Sequence, residues 1–312
     1  PVPVIPLGAN SETHMTDPAI KISPQTLASG EMLNAMTVDV EDYYQVSAFA
    51  KQVTKDNWEK FESRVERNTH RILDIFDENA IKATFFVLGW VAERHPGLIR
   101  ELSQRGHEVA CHGYSHDLIY RQTPEIFLEE TSRSKQVLED IVGLPVKGYR
   151  AASYSITKQS LWALDILCDL GFVYDSSIFP IMHDRYGIPG AKTVPHLYET
   201  QKNQHIVEYP LSTVGLGSKR FPISGGGYFR LFPYWLTRAG LGRVNGKDRV
   251  PFIFYMHPWE IDEGQPRIKS SRLSEFRHYN NIDKFEARLR QLIKDFRFTT
   301  VTDVLQRLDF AV

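Results

Sequence analysis

Ala35–Tyr44 reads AMTVDVEDYY, an apolar strand that runs out into three carboxylates, Asp39, Glu41 and Asp42. Further apolar runs follow at Ala83–Leu88, Glu108–Cys111, Lys147–Arg150, Phe172–Tyr174, Ile206–Pro210 and Phe252–His257, each bounded by turn or polar residues as buried strands are. Between many of them the apolar spacing turns helical. Residues 58–76 carry Trp58, Phe61, Val65, Ile72, Leu73, Ile75 and Phe76 at that spacing, and 124–142 and 160–170 behave alike. Strand and helix in alternation predict an α/β fold with a parallel sheet. A last helix is expected after Asn281 as N-cap, with Ile282, Phe285, Leu289, Leu292, Ile293 and Phe296 on one face.

Composition narrows the function classes. The chain has 312 residues, 42% hydrophobic and 24% charged, a balance that excludes disorder and fibrous architectures for most of it. Its 37 Lys and Arg nearly cancel 38 Asp and Glu, so no net field draws it to nucleic acid or anionic lipid. Two cysteines, Cys111 and Cys168, make no disulfide framework. The longest apolar stretch, Ala83–Ala92, is far short of the roughly 20 residues of a membrane span. Residues 1–14 show neither the charged start nor the apolar run of a secretory signal and read as a leader foreign to the fold; residues 15–34 read as a lead-in. No repeat and no composition break interrupts residues 35–312, which are expected to form one domain.

Four strand ends carry the chemistry, and in parallel α/β folds sites are built at the carboxyl ends of strands. Three acids as close as Asp39, Glu41 and Asp42 repel one another unless a cation or proton compensates, although Asp42 reads equally well as a solvated or helix-capping residue. In Glu108–Ile119, EVACHGYSHDLI, His112 and His116 stand four apart after a short strand, a spacing that lets two imidazoles converge on one metal and that two surface histidines would also show. Arg150 in KGYRAASYS and His257 in PFIFYMHPWE end the other two strands. Competing chemistries lack their residues. There is no GxSxG elbow, and Cys111 and His112 are strand neighbours that point apart. GLGRVNG at Gly240–Gly246 misses the dinucleotide spacing, and Gly225–Phe229, GGGYF, has no phosphate-loop Lys and implies a close backbone approach or positive φ.

In the order of these motifs, residues 36 to about 308 resemble the NodB-homology polysaccharide deacetylases, carbohydrate esterase family 4. TVDVEDYYQVSAFA, GGGYFRLFPYW and HPWEIDEGQPRI are similar to an exosortase-associated (PEP-CTERM locus) subgroup with a C-terminal extension, here about residues 258–312. The resemblance implies a distorted (β/α) barrel of about seven parallel strands with its site at the carboxyl face. It places Asp39 as catalytic base, His112 and His116 as metal ligands, Arg150 as the residue orienting the base, His257 as general acid and Asp175, in VYDSS, as the support of that histidine. The third ligand is Glu41 or Asp42, because the family's adjacent Asp pair is absent. Oxyanion stabilisation falls to a backbone N–H near Ser153 or Tyr154, and Tyr228, Phe229 and Trp259 stand in for the missing aromatic wall. For Tyr228 and Phe229, packing in the core is the equal alternative.

The activity implied is metal-dependent removal of N-acetyl groups from an N-acetylhexosamine-containing polysaccharide or its lipid-linked precursor, with zinc as the default divalent ion. The alternatives are hydrolysis of small cyclic amides or ureides on the same fold, or a saccharide-binding relative without catalysis. The expected partner is an N-acetylated saccharide, with no nucleic acid and no membrane span, in a bacterial, cytoplasmic setting. The sugar, its linkage and the oligomeric state are not readable from the sequence.

Overall fold

The computed structural model describes residues 32–183, 186–217 and 219–312, so the expected leader and most of the lead-in lie outside the described residues. Nine strands form one sheet: β1 (Leu33–Val40), β2 (Thr84–Val87), β3 (Glu108–Cys111), β4 (Gly148–Tyr149), β5 (Tyr174–Asp175), β6 (His196–Glu199), β7 (His205–Glu208), β10 (Ile253–Met256) and β11 (Arg297–Thr299). The hairpin β8 (Thr213–Leu216) and β9 (Lys219–Pro222) stands apart. The sheet order is β10-β1-β2-β3-β4-β5-β7-β6, with β11 also beside β1. Every pairing in it is parallel except β6 with β7. This is the mixed α/β, mostly parallel distorted barrel that the sequence implied. All seven expected strands are present. The two hairpin strands, β6 and β11 were not foreseen.

Strand parity separates the two cores, because successive side chains point to opposite faces. Met36, Val38 and Val40 of β1, Phe85 and Val87 of β2 and Phe254 and Met256 of β10 pack outward under the helices. Ala35, Phe86, Ala110, Ile253 and Tyr255 point inward with Tyr174 and Val207. Asp39, His112 and His257 continue the inward phase past the strand ends, which carries them to the barrel mouth. The other end is stoppered. Val301, Val304 and Leu305 of the helix Val301–Arg307 join the inner cluster, and Thr302 Oγ1 donates to Glu108 Oε1 at 2.5 Å.

No ladder joins β7 to β10, and the chain between them closes the ring by single bonds. Tyr209 Oη donates to the Pro251 carbonyl at 3.0 Å, the Ile253 N–H to Ser212 Oγ at 3.0 Å, and the Tyr255 N–H to the Ser224 carbonyl at 2.9 Å. Gly225 bridges to Tyr255 with φ 140°, and a Cβ there would stand 1.9 Å from the Tyr255 carbonyl oxygen. The close approach expected of GGGYF is therefore real, and only glycine allows it.

Two helix expectations change. Residues 58–76 do not form one helix: a 3-10 turn, Lys55–Lys60, precedes a separate helix, Val65–Glu78, which starts where Asp42 receives the Arg64 and Val65 N–H groups. Trp58 packs instead with Trp90 and Tyr44. Asn281 is no side-chain N-cap. It sits at φ 53° and donates through Nδ2 to the Arg230 carbonyl, the expected helix runs from Phe285 to Asp295, and the helix Val301–Arg307 follows it.

Candidate metal and catalytic site

Glu41, His112 and His116 bring one ligand atom each to within 4.8 Å of one another. His112 Nδ1 lies 2.8 Å from the Arg150 carbonyl oxygen, an acceptor only, so that nitrogen carries the proton and Nε2 presents its lone pair. His116 Nε2 stands 2.7 Å from Glu41 Oε2, yet that buried oxygen has no hydrogen-bond partner. A buried carboxylate oxygen without a donor, facing imidazole nitrogens, is what a cation would satisfy. Protonation agrees. Burial works to raise the Glu41 pKa, but the adjoining His116 outweighs it and holds the carboxyl down at about 2. Burial pushes His112 down to about 4, against the pull of Asp39, so its ring is neutral at pH 7. An ionised carboxylate and a neutral imidazole are the forms that bind metal.

Asp39, 2% exposed, is held on one side only. Arg150 Nη1 donates to Asp39 Oδ1 and to Thr37 Oγ1, both at 2.7 Å, while Nε and Nη2 donate to the Ser176 carbonyl and hydroxyl. The guanidinium lies 4.0 Å above the Phe86 ring. A fully buried arginine with all these partners does not move, and Asp39 Oδ2 is left facing His257 Nε2 at 3.9 Å.

His257 is held from behind. Its backbone N–H and Nδ1 both lie 3.0 Å from Glu260 Oε2, and Glu260 Oε1 accepts from Arg230 Nε at 2.7 Å. Burial opposes its charge, but the hydrogen bond and charge of Glu260 hold the imidazole up at about 9, so it carries a proton on Nε2 at neutral pH. Trp259 stacks on the ring, centroids 5.0 Å apart, and donates through Nε1 to Glu41 Oε1 at 3.1 Å.

These groups line a groove of about 820 Å³, together with Tyr44, Trp58, Ser153, Tyr154, Tyr255 and Arg277. Ser153, Tyr154 and Trp259 thus line the groove. The Tyr154 N–H is bound to the Ala151 carbonyl, which leaves the Ser153 amide as candidate oxyanion donor. Four expectations fail. Asp42 is turned out of the cluster by strand parity: Oδ2 accepts from Ser63 Oγ, Arg64 N–H and Val65 N–H, and Oδ1 from the Tyr43 N–H. Asp175 does not support His257, whose Nδ1 belongs to Glu260; it accepts from Ser177 Oγ at 2.6 Å and shares its burial with Glu208. Phe229 is wholly buried against Phe254 and Phe285, and Tyr228 leans on Phe232 outside the groove lining. Gly227 and Arg230 from that turn line the groove instead.

Glu260 and Arg230 were missed by sequence reasoning. Glu260 had a local signal, since a Glu three residues after a cap with Pro between reads as a capping box, and the structure forms that box with His257 as the cap. Arg230 had none.

Comparison with known proteins finds two family matches. Residues 53–172 match the polysaccharide deacetylase family, and residues 176–306 match a domain of unknown function, DUF3473. A peptidoglycan-N-acetylglucosamine deacetylase of Bacillus cereus is 29% identical over 98 residues, 31% of this chain and 36% of that protein. A chitooligosaccharide deacetylase of Bradyrhizobium is 28% identical over 106 residues, 34% of this chain and 48% of that protein. The matches thus span about a third to a half of these relatives. A structure assigned as a polysaccharide deacetylase from Mycobacterium smegmatis superposes with TM-score 0.60 at 18% identity, over 92% of this chain and 93% of that one. Puue allantoinase superposes with TM-score 0.56 at 14% identity, over 88% of each chain. Both bear on the fold alone. The parallel sheet, the Glu41, His112 and His116 cluster and these matches point the same way: residues 53–172 are similar to the polysaccharide deacetylase family and residues 176–306 to DUF3473.

Proposed function

We propose that the protein is a metal-dependent hydrolase that removes N-acetyl groups from an N-acetylhexosamine-containing polysaccharide or its lipid-linked precursor. One observation carries the reading: the Glu41, His112 and His116 cluster lies between a one-sided carboxylate, Asp39, and a protonated imidazole, His257, on the floor of an open groove. That is the equipment for splitting an amide with water. Zinc, the exosortase-associated subgroup, an exopolysaccharide substrate and a cytoplasmic location belong to the same proposal. No helix among the described residues is long and apolar enough to cross a membrane.

Glu41, His112 and His116 would hold the ion, which when bound polarises the acetamide carbonyl and lowers the pKa of a water toward about 7. Asp39 takes the proton of the attacking water on Oδ2, because Oδ1 is occupied by Arg150. The Ser153 amide lies in the turn after β4, where Ser153 lines the groove, and is assigned as donor to the developing oxyanion. His257 gives its Nε2 proton to the departing amine, which leaves as the free amino sugar beside acetate. The test is acetate release from N-acetylglucosamine oligomers by the zinc-loaded protein, with His112→Ala and His116→Ala as controls. Activity that survives loss of the metal would refute the reading.

A further inference from the structure

The general acid needs a fixed ring, and in this chain the anchor comes from a pair to which the sequence reading gave no role. Glu260 is fully buried and Arg230 only 2% exposed. One carboxylate oxygen, Oε2, meets both the backbone N–H and the ring Nδ1 of His257, so it sets where the residue sits and how its imidazole is turned. The other oxygen, Oε1, receives Arg230 Nε. Arg230 spends its remaining nitrogens on the carbonyls of Arg277, His278 and Asn280, 3.0 Å from Arg277 and 3.1 Å from Asn280. A buried ion pair in which every guanidinium nitrogen is bonded is rigid. Trp259 closes the opposite face of the arrangement, stacked between His257 and His278.

We propose that Glu260, locked by Arg230, is the positioning residue for His257: it keeps Nδ1 protonated, so that the ring left after proton delivery is the Nδ1–H tautomer, and it turns Nε2 with the proton it delivers toward the groove. This rests on the deacetylase reading above. The physical ground is that a carboxylate on the far nitrogen of a catalytic imidazole sets both ring orientation and tautomer. The pair therefore acts on the step in which the amine leaves, not on metal binding or on water attack. All the residues involved, Arg230, His257, Trp259, Glu260, Arg277, His278 and Asn280, lie within the segment that matches DUF3473. The inference gives that segment a task in the reaction, holding the general acid.

Leaving-group dependence tests this. An amine must be protonated to depart, whereas 4-nitrophenolate leaves unaided, so a defect confined to general-acid delivery harms one substrate and spares the other. Glu260→Gln in the zinc-loaded full chain should lower kcat on N-acetylglucosamine oligomers by about 100-fold with KM nearly unchanged. The same variant should stay within about threefold of wild type on 4-nitrophenyl acetate and keep its metal. In a His257→Ala background, Glu260→Gln should add nothing. Equal loss on both substrates, full retention on the oligomers, or an added loss in that background would overturn the proposal. Glu260→Asp, which keeps the charge for Arg230 but falls short of Nδ1, repeats the test if the amide variant does not fold. Nitrogen NMR of the wild-type protein reads the His257 tautomer without any substrate: a bare Nδ1 at neutral pH would overturn the proposal. A protein that releases no acetate from any oligomer yet shows the Nδ1–H tautomer, with altered ring shifts in Glu260→Gln, would sink the deacetylase reading and leave the positioning role standing.

Discussion

Replacing Asp42 separates the two roles that its acidic neighbourhood suggests. Its carboxylate accepts four hydrogen bonds, from Ser63 Oγ at 2.8 Å, the Arg64 N–H at 2.8 Å, the Val65 N–H at 3.2 Å and the Tyr43 N–H at 3.1 Å. Two of these are amides where the helix Val65–Glu78 begins, a place that favours negative charge. Each such bond is worth about 0.5–1.5 kcal/mol net, so Asp42→Ala should cost roughly 3 kcal/mol. In a chain of this size that lowers Tm by about 6–12 °C. The metal should stay, because Asp42 offers nothing to the cluster of Glu41, His112 and His116. Glu41→Gln should do the reverse, losing the ion with little change in the Tm of the metal-free protein. Both variants are read by elemental analysis after zinc loading and by urea melts of the metal-free form. An Asp42→Ala protein stripped of zinc but melting like wild type would refute the argument from strand parity.

Other outcomes follow from single contacts. Trp259→Phe keeps the stack on His257 but loses the bond to Glu41 Oε1, so zinc affinity should weaken by about 10–100-fold in competition with a chelating dye; unchanged affinity counts against that bond as the orienting one. Phe229→Ala should cost about 3–5 kcal/mol in a urea melt with unchanged KM for the folded protein, and a changed KM at wild-type stability would return Phe229 to the groove. Burial raises the pKa of Asp175 and carries that of Glu208 well above the usual carboxylate range, so the pair keeps a proton in the folded state. A raised folded pKa gives stability that is complete below the unfolded value of about 4.3 and is lost as pH rises through the folded value. Glu208→Gln should accordingly flatten the fall in Tm as pH rises above the unfolded carboxylate value, and an unaltered slope in differential scanning fluorimetry would count against the shared proton.

What could be read from the chain depended on range. The apolar runs that became β1, β2, β3 and β10 carried their own evidence, and so did the polar residue ending each one, because parity puts Asp39, His112 and His257 on the inner face without reference to anything distant. Asp42 and Glu41 differ by one position, and the sequence showed both as acids. What separates them is the helix start at Arg64, 22 residues on. Asp175 failed for a related reason: its motif position was right, but Glu208, 33 residues away, is its neighbour across the strands, and His257 already had Glu260. Phe229 looked like a groove wall beside three glycines, and only Phe254 and Phe285 reveal it as core. β6, β8, β9 and β11 read HLYE, TVGL, KRFP and RFT, whose polar residues and glycine break the apolar run that the equally short β2 and β10 keep.

The site does not belong to either matched segment alone. Asp39 and Glu41 precede residue 53; His112, His116 and Arg150 lie within 53–172; Arg230, His257 and Glu260 lie within 176–306. Sheet order explains how they meet. β1 sits between β10 and β2, and its register with β10 pairs Val38 with Met256, so the next residues along, Asp39 and His257, face each other at the mouth. Without β10 the base would lose the acid opposite it, and the outward Val38 would lose Phe254 and Met256 from its layer. The segment that matches DUF3473 therefore completes the sheet with β10 and brings His257 and its partners Glu260 and Arg230 to the groove. The second segment lines the groove at Gly227, Leu273, Ser274 and Arg277, whereas the Glu41, His112 and His116 cluster is held just after β1 and β3, so the wall and the cluster rest on different parts of the chain.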